Sequence, residues 1–308
     1  MSPVEIGMLS VLAIVVLVYM GLYIPVALGL VTFVSVWIMS GKSILAFNFL
    51  KIAVGDGVTE YNFATIPLFT LMGLLVSKAK LGRDIYDVMN SAFRKVLAGI
   101  GMATVGANAV FAAITGSSIA SASVFTKISV PEMLRYNYNK RFAVGVVAGS
   151  SVLGMIIPPS AMLIIYSFVS EQSVGDMFIA GIIPGLILTA AYIIAIFTMA
   201  RIWPSYVGTD IQNEDLPALS NTEMFRKAWP IVALILLVLG GIYTGWMTPV
   251  EAGAAGASLA MVIAVLRRSL SWQGFWSTLV ETGQITAAIL LLITMASFYS
   301  RMLGYAGL

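Results

Sequence analysis

Residues 111–124, FAAITGSSIASASV, and residues 149–160, GSSVLGMIIPPS, decide how this chain reads. Each carries a Gly-Ser-Ser triplet inside an otherwise apolar stretch, and the second runs on into the pair Pro158-Pro159. Such residues favour caps, turns and helix ends over helix interiors. The flanks are too apolar for a surface loop, so the breaks read as irregular backbone at membrane depth. Hydrocarbon offers no water to unpaired amides and carbonyls, and such backbone persists only where protein encloses it or where it lines a polar cavity. In transporters that cavity commonly holds substrate and ion.

Composition supports the membrane reading. Of the residues, 59% are apolar and 10% charged, and apolar runs of about 17 to 25 residues recur, the pattern of an all-α polytopic integral membrane protein. The first run starts close to Met1 without a small-residue cleavage site, so the N-terminus reads as retained. The chain has neither cysteine nor histidine. Disulfides, thiolate zinc sites, haem ligation through histidine and histidine acid–base chemistry are thereby excluded. A membrane-embedded enzyme would have to work with carboxylates, lysines and hydroxyls, and no facing polar pair stands out beyond the Ser/Gly breaks. The formal charge of +3 reflects loop placement and calls for no nucleic-acid partner.

Candidate spans fall at about 6–22, 24–40, 63–77, 142–170, 177–203, 228–246, 250–266 and 284–300, the first two alternatively forming one helix kinked at Pro25. Residues 84–97 alternate charge with Ile85, Val88, Met89, Phe93 and Leu97, as a helix lying in the interface does. Basic residues concentrate in four loops: Lys78, Lys80, Arg83, Arg94 and Lys95; Arg135, Lys140 and Arg141; Arg226 and Lys227; Arg267 and Arg268. If residues 99–134 crossed the bilayer once, one of the first two loops would face outward, against the positive-inside tendency. Residues 99–114 cover roughly 24 Å as a helix, marginal for a crossing. A re-entrant hairpin with its tip at 115–118 keeps both loops inside. The turn Glu171–Asp176, acidic and without a base, then lies outside.

Four parts follow: 1–97, scaffold helices plus the arm; 98–203, a transport domain of hairpin 98–134, broken span 142–170 and span 177–203; 204–227, a cytoplasmic linker with Pro204, Asp210, Glu214, Asp215 and Pro217; and 228–308, the start of a second repeat of opposite orientation. Inverted repeats are a common plan of secondary transporters. The second repeat stops after its third span, so the chain reads as a fragment or as a shortened protein.

At the tip, Ser117 and Ser118 suit the N-cap of the returning helix, whose first amides and positive dipole end would accept a carboxylate. Carbonyls ending the incoming helix, with Thr115 and the serine hydroxyls, are hard oxygen ligands suited to Na⁺. The competing reading is close helix packing by small residues. Residues 142–170 would span about 43 Å as one helix, and Pro158-Pro159 removes two donors from it. An unwound middle around Gly149–Gly154 would complete a cation site; a plain proline kink is the alternative. Asn108 reads as an interhelical bond, Lys127 as snorkelling to the interface, and Trp37, Trp203, Trp229 and Trp246 as belt anchors.

The runs FAAITGSSIASASVFTKISVPEM (111–133), YNKRFAVGVVAGSSVLGMIIPPSAMLIIYSFVSEQSVGDMFIAGIIPGLIL (138–188) and YTGWMTPVEAGAAGA (243–257) resemble the large membrane subunit of TRAP transporters, tripartite ATP-independent periplasmic transporters of the DctM type. The resemblance covers nearly the whole chain. It implies a bacterial inner-membrane protein importing an organic acid (a dicarboxylate, sialic acid or a sugar acid) by an elevator motion, with Na⁺ as coupling ion and no other cofactor. Its partners would be a small membrane subunit and a periplasmic substrate-binding protein. Carried over by residue, the cation site would comprise Thr115, Gly116, Ser117, Ser118, Ser150, Ser151, Gly154 and Pro158, and the substrate site Ser117, Ser118, Ile119, Ser151 and Pro159. The family's second hairpin and its own broken span are absent here. A single-component sodium/carboxylate symporter is the nearest alternative, and a passive channel a further one.

Overall fold

The structure, a computed structural model, describes residues 2–208 and 219–308, and among them every regular element is helical. In chain order these are α1 (Pro3–Tyr19), α2 (Ile24–Ser40), α3 (Ser43–Thr59), α4 (Thr65–Lys78), α5 (Leu81–Phe93), α6 (Gly99–Thr115), α7 (Ser118–Arg135), α8 (Lys140–Ser151), α9 (Leu153–Ile156), α10 (Ala161–Val169), α11 (Val174–Ile202), α12 (Pro204–Val207), α13 (Asn221–Ile235), α14 (Gly241–Tyr243), α15 (Pro249–Leu266) and α16 (Trp272–Ala306). A π-helical turn, Leu236–Gly240, joins α13 to α14. Among the described residues four helices are long and apolar enough to cross a membrane: Val174–Ile202, Asn221–Tyr243, Pro249–Leu266 and Trp272–Ala306. Two bent pairs, Tyr61–Lys78 with Leu81–Phe93 and Lys140–Ile156 with Ala161–Val169, would bring the number to six if each were one span. This is a multi-pass membrane protein, and its outward side chains fit that solvent. Ile183, Leu186, Ile187 and Ile194 on α11 are all more than half exposed, a face that water would penalise and lipid accepts.

The chain forms two compact units. The first holds residues 1–63 and 283–308. Its core is Val36, Ala46 and Met302, packed round by Phe33, Met39, Phe49 and Tyr299. Ser10 donates to the Gly7 carbonyl at 2.6 Å and shares a 3.0 Å hydrogen bond with the Tyr299 hydroxyl. Pro25 does not kink a long helix. It sits in the first turn of α2, where its fixed φ and missing N–H are harmless, after a turn that Gly21 enters at φ 96°. The spacing missed α3 altogether, because Asn48, Lys51 and Asp56 interrupt its apolar run.

The second unit spans residues 64–282. Small residues decide how its helices meet. Gly253 and Gly256 of α15 lie against Leu68, Phe69 and Met72 of α4, the close approach that small residues permit in membranes. The expected interfacial helix is α5, which starts at Leu81 and ends at Phe93, so Leu97 falls in the following turn. It bends 67° away from the segment Tyr61–Lys78 and buries Leu81, Ile85 and Tyr86. The expected span 228–246 begins earlier, at Asn221, whose N-terminal capping box pairs Ser220 with Glu223. Asp210, Glu214, Asp215 and Pro217 of the expected linker lie outside the described residues.

Candidate functional site

The Thr115–Ser118 turn is a true reversal. Helix α6 ends at Thr115, Gly116 takes a left-handed φ of 58°, and Ser117 adopts extended backbone before α7 begins at Ser118. Cross-turn partners show that the two helices run back along each other. Ser121 donates to the Asn108 side-chain carbonyl at 2.5 Å, and Phe111 meets Phe125 edge to face at 5.5 Å.

Capping chemistry then decides which backbone groups are left. The Ser117 hydroxyl accepts from the Ala120 amide at 3.3 Å, and its carbonyl accepts from the Ser121 amide at 3.1 Å. Among the described residues no acceptor reaches the next amides back, those of Ser118 and Ile119. They are free donors at the positive end of an 18-residue helix. On the other arm, the Gly116 amide closes the last turn onto Ala112, and among the described residues no amide from Ser117 onward bonds back to the carbonyls of Ala113, Ile114 and Thr115. One tip therefore presents unspent amides on one side and unspent carbonyls on the other.

The broken span comes to this tip, but its main unwinding is not where the sequence placed it. Gly149, Ser150 and Ser151 are helical, in α8. The two serine hydroxyls bond back along the helix, Ser150 to Val146 at 2.6 Å and Ser151 to Ala148 at 2.8 Å, and so are satisfied within it. Helix α8 gives way to α9 through a single turn residue, Val152, inside the expected stretch; the longer non-helical piece is 157–160, with a cis Pro158-Pro159 bond, and the span bends there by 43°. Ser160, which the sequence did not single out, donates to the Met155 carbonyl at 2.7 Å.

Glycines enclose this backbone. A side chain at Gly116 would collide with the Pro159 carbonyl oxygen, and the Gly116 carbonyl accepts from the Ala161 amide at 3.2 Å. A Cβ at Gly154 would lie 2.8 Å from the Ser117 carbonyl carbon and the Ser118 nitrogen. Gly73 of α4 backs Thr115, where a Cβ would fall 2.7 Å from its carbonyl oxygen. On the far side Gly181 and Gly185 of α11 face Ile156 and Ile157. Gly73, Gly181 and Gly185 carry no local signal in sequence, since a glycine in an apolar run does not say what packs on it.

The structure thus brings Thr115, Gly116, Ser117 and Ser118 together with Gly154, Pro159 and Ser160. Pro158, inside the break, is buried against Gly181 of α11, and Ile119 is 82% exposed at the tip. Thr115 turns its hydroxyl to the Phe111 carbonyl at 2.9 Å, offering the tip only its backbone. Ser150 is held away, receiving a 2.5 Å bond from the Asn108 amide, and Ser151 bonds within its own helix. No ionisable side chain occurs at 113–120 or 150–161. The tip's oxygens are all neutral, as suits a weakly held monovalent cation, and the amides of Ser118 and Ile119 suit an anion.

Residues 11–308 match the family profile described as the DctM component of the tripartite ATP-independent periplasmic transporter. The chain is 30% identical over 284 residues to the C4-dicarboxylate TRAP transporter large permease protein DctM of Pseudomonas aeruginosa, covering 90% of this chain and 63% of that protein. It is 28% identical over 273 residues to the sialic acid TRAP transporter large permease protein SiaM of Vibrio cholerae, covering 87% and 62%. Over 255 residues it is 28% identical to the ectoine/5-hydroxyectoine TRAP transporter large permease protein UehC of Ruegeria pomeroyi, covering 81% and 58%. The chain spans about three-fifths of the length of these relatives.

Proposed function

This chain belongs to the DctM component family of tripartite ATP-independent periplasmic transporters, and from that premise we propose that it forms the hairpin-bearing part of a large permease subunit driving sodium-coupled import of an organic anion. The observation that carries the reading is the meeting of the hairpin tip with the break at 157–160 through the glycine faces of Gly116 and Gly154. Unspent carbonyls of Ala113, Ile114 and Thr115, with the Ser117 and Ser118 hydroxyls, supply oxygens for Na⁺. The Ser118 and Ile119 amides receive the carboxylate of the substrate. A neutral site bound by a cation favours the anion beside it, which couples the two. Relatives named for C4-dicarboxylates and sialic acid support a carboxylate as the recognised group.

The re-entrant topology, the opposed orientation of 228–308 and an elevator movement of 98–203 belong to the same proposal, as do a small membrane subunit, a periplasmic binding protein and residence in the bacterial inner membrane. The test is uptake into proteoliposomes holding the complete permease with its small subunit and binding protein. Accumulation that needs an inward sodium gradient, and that Ser118→Leu abolishes, is the expected result. Uptake without the binding protein would favour a single-component symporter; equilibration without uphill accumulation would favour a channel; either contradicts the proposal.

A further inference from the structure

Asn108 lies seven residues before Thr115 on α6, roughly 10 Å behind the tip at 1.5 Å per residue. It is fully buried, as is Ser121, and Ser150 is 1% exposed. Its side-chain amide donates to the Ser150 hydroxyl and its carbonyl accepts from the Ser121 hydroxyl, both at 2.5 Å. Ser150 passes its own proton on to the Val146 carbonyl at 2.6 Å. Each of the three side chains thus has a polar partner deep in the packed interior.

The positions of the partners matter more than the number of bonds. Ser121 is one turn into α7, and its own amide closes the cap on Ser117. Ser150 is in the last turn of α8, two residues before Val152, where α8 gives way to the short α9 and then to the break. One side chain on the incoming arm therefore fixes both the returning arm, which carries the free amides, and the segment leading to Gly154 and the 157–160 backbone. Apolar packing is non-directional and tolerates sliding, whereas an amide held at both ends permits one register.

We infer that Asn108 is a positioning residue for ion binding: it touches neither ion nor substrate, and sets the spacing between hairpin tip and broken span on which sodium affinity depends. The inference rests on the sodium-coupled reading above. Its test measures the sodium half-saturation and the maximal rate of uptake for wild type, Asn108→Leu, Ser121→Ala and the double variant, together with the melting temperature of each. Ser121 lies outside the tip and is the mild variant, tolerable where Asn108→Leu fails to fold. Expected is a half-saturation raised by about tenfold in Asn108→Leu, equivalent to roughly 1.4 kcal/mol, and by less in Ser121→Ala, with the double variant no worse than Asn108→Leu because both changes break one network. A purely structural role would lower the maximal rate through loss of folded protein and leave half-saturation unchanged; that outcome overturns the inference. Wild-type uptake indifferent to sodium would instead overturn the underlying reading, and this inference with it.

Discussion

At Gly116 two constraints coincide. Its φ of 58° is a conformation that costs other residues energy, and a Cβ there would meet the backbone oxygen of Pro159, which cannot swing aside. Gly116→Ala should therefore cost about 1–3 kcal/mol, and should part the tip from the break, so that uptake fails while the protein still inserts, as membrane fractionation would show. Gly149 starts the other Gly-Ser-Ser triplet and behaves in the opposite way. It is inside α8, and a Cβ would make ordinary 3.4 Å contact with the Tyr192 ring. Gly149→Ala should raise stability by about 0.5–1 kcal/mol through helix propensity, seen as a higher melting temperature with uptake retained. The two triplets are indistinguishable as strings. What separates them is whether the following residue can continue the helix, and that depends on the neighbour each glycine faces.

At the scale of elements, the hairpin and the broken span were legible because glycine and paired prolines interrupt long apolar runs. Only a one-residue turn at Val152 falls within Gly149–Gly154, and the main unwinding lies further on, at 157–160, because buried serines can stay helical by bonding to carbonyls three or four residues back, whereas proline has no proton to offer. Helix α3 escaped notice since its apolar run is broken by polar residues. The amphipathic arm was legible, but not what it holds. Asp84 of α5 bonds Arg267 just beyond α15 and lies 3.9 Å from Lys227 of α13, which itself bonds Asp87. These charges are between 16% and 32% exposed, so solvent screens them only in part. Asp84→Asn removes the acid facing two cations and should lower stability by about 1 kcal/mol; Asp87→Asn should cost less. The gap between the two melting temperatures should narrow in high salt.

For the molecule as a whole, composition alone announced a membrane protein, and the exposed apolar faces of α11 and its like bear that out. What no string of residues displays is which stretches end up touching, and the candidate site is made of such contacts: Gly73, Gly116 and Gly154 come from three separate elements. In the proposed topology residues 99–135 enter the bilayer and return on the same side. Because these 308 residues hold no cysteine, a thiol introduced at Arg83, Lys140 or Gln172, all exposed, is the only one among them and reports its side by reaction with a membrane-impermeant maleimide added outside intact cells. With that topology Arg83→Cys and Lys140→Cys are both protected until the membrane is opened, while Gln172→Cys is labelled at once. Labelling of Lys140→Cys from outside with Arg83→Cys protected would mean that the segment crosses, and would contradict it.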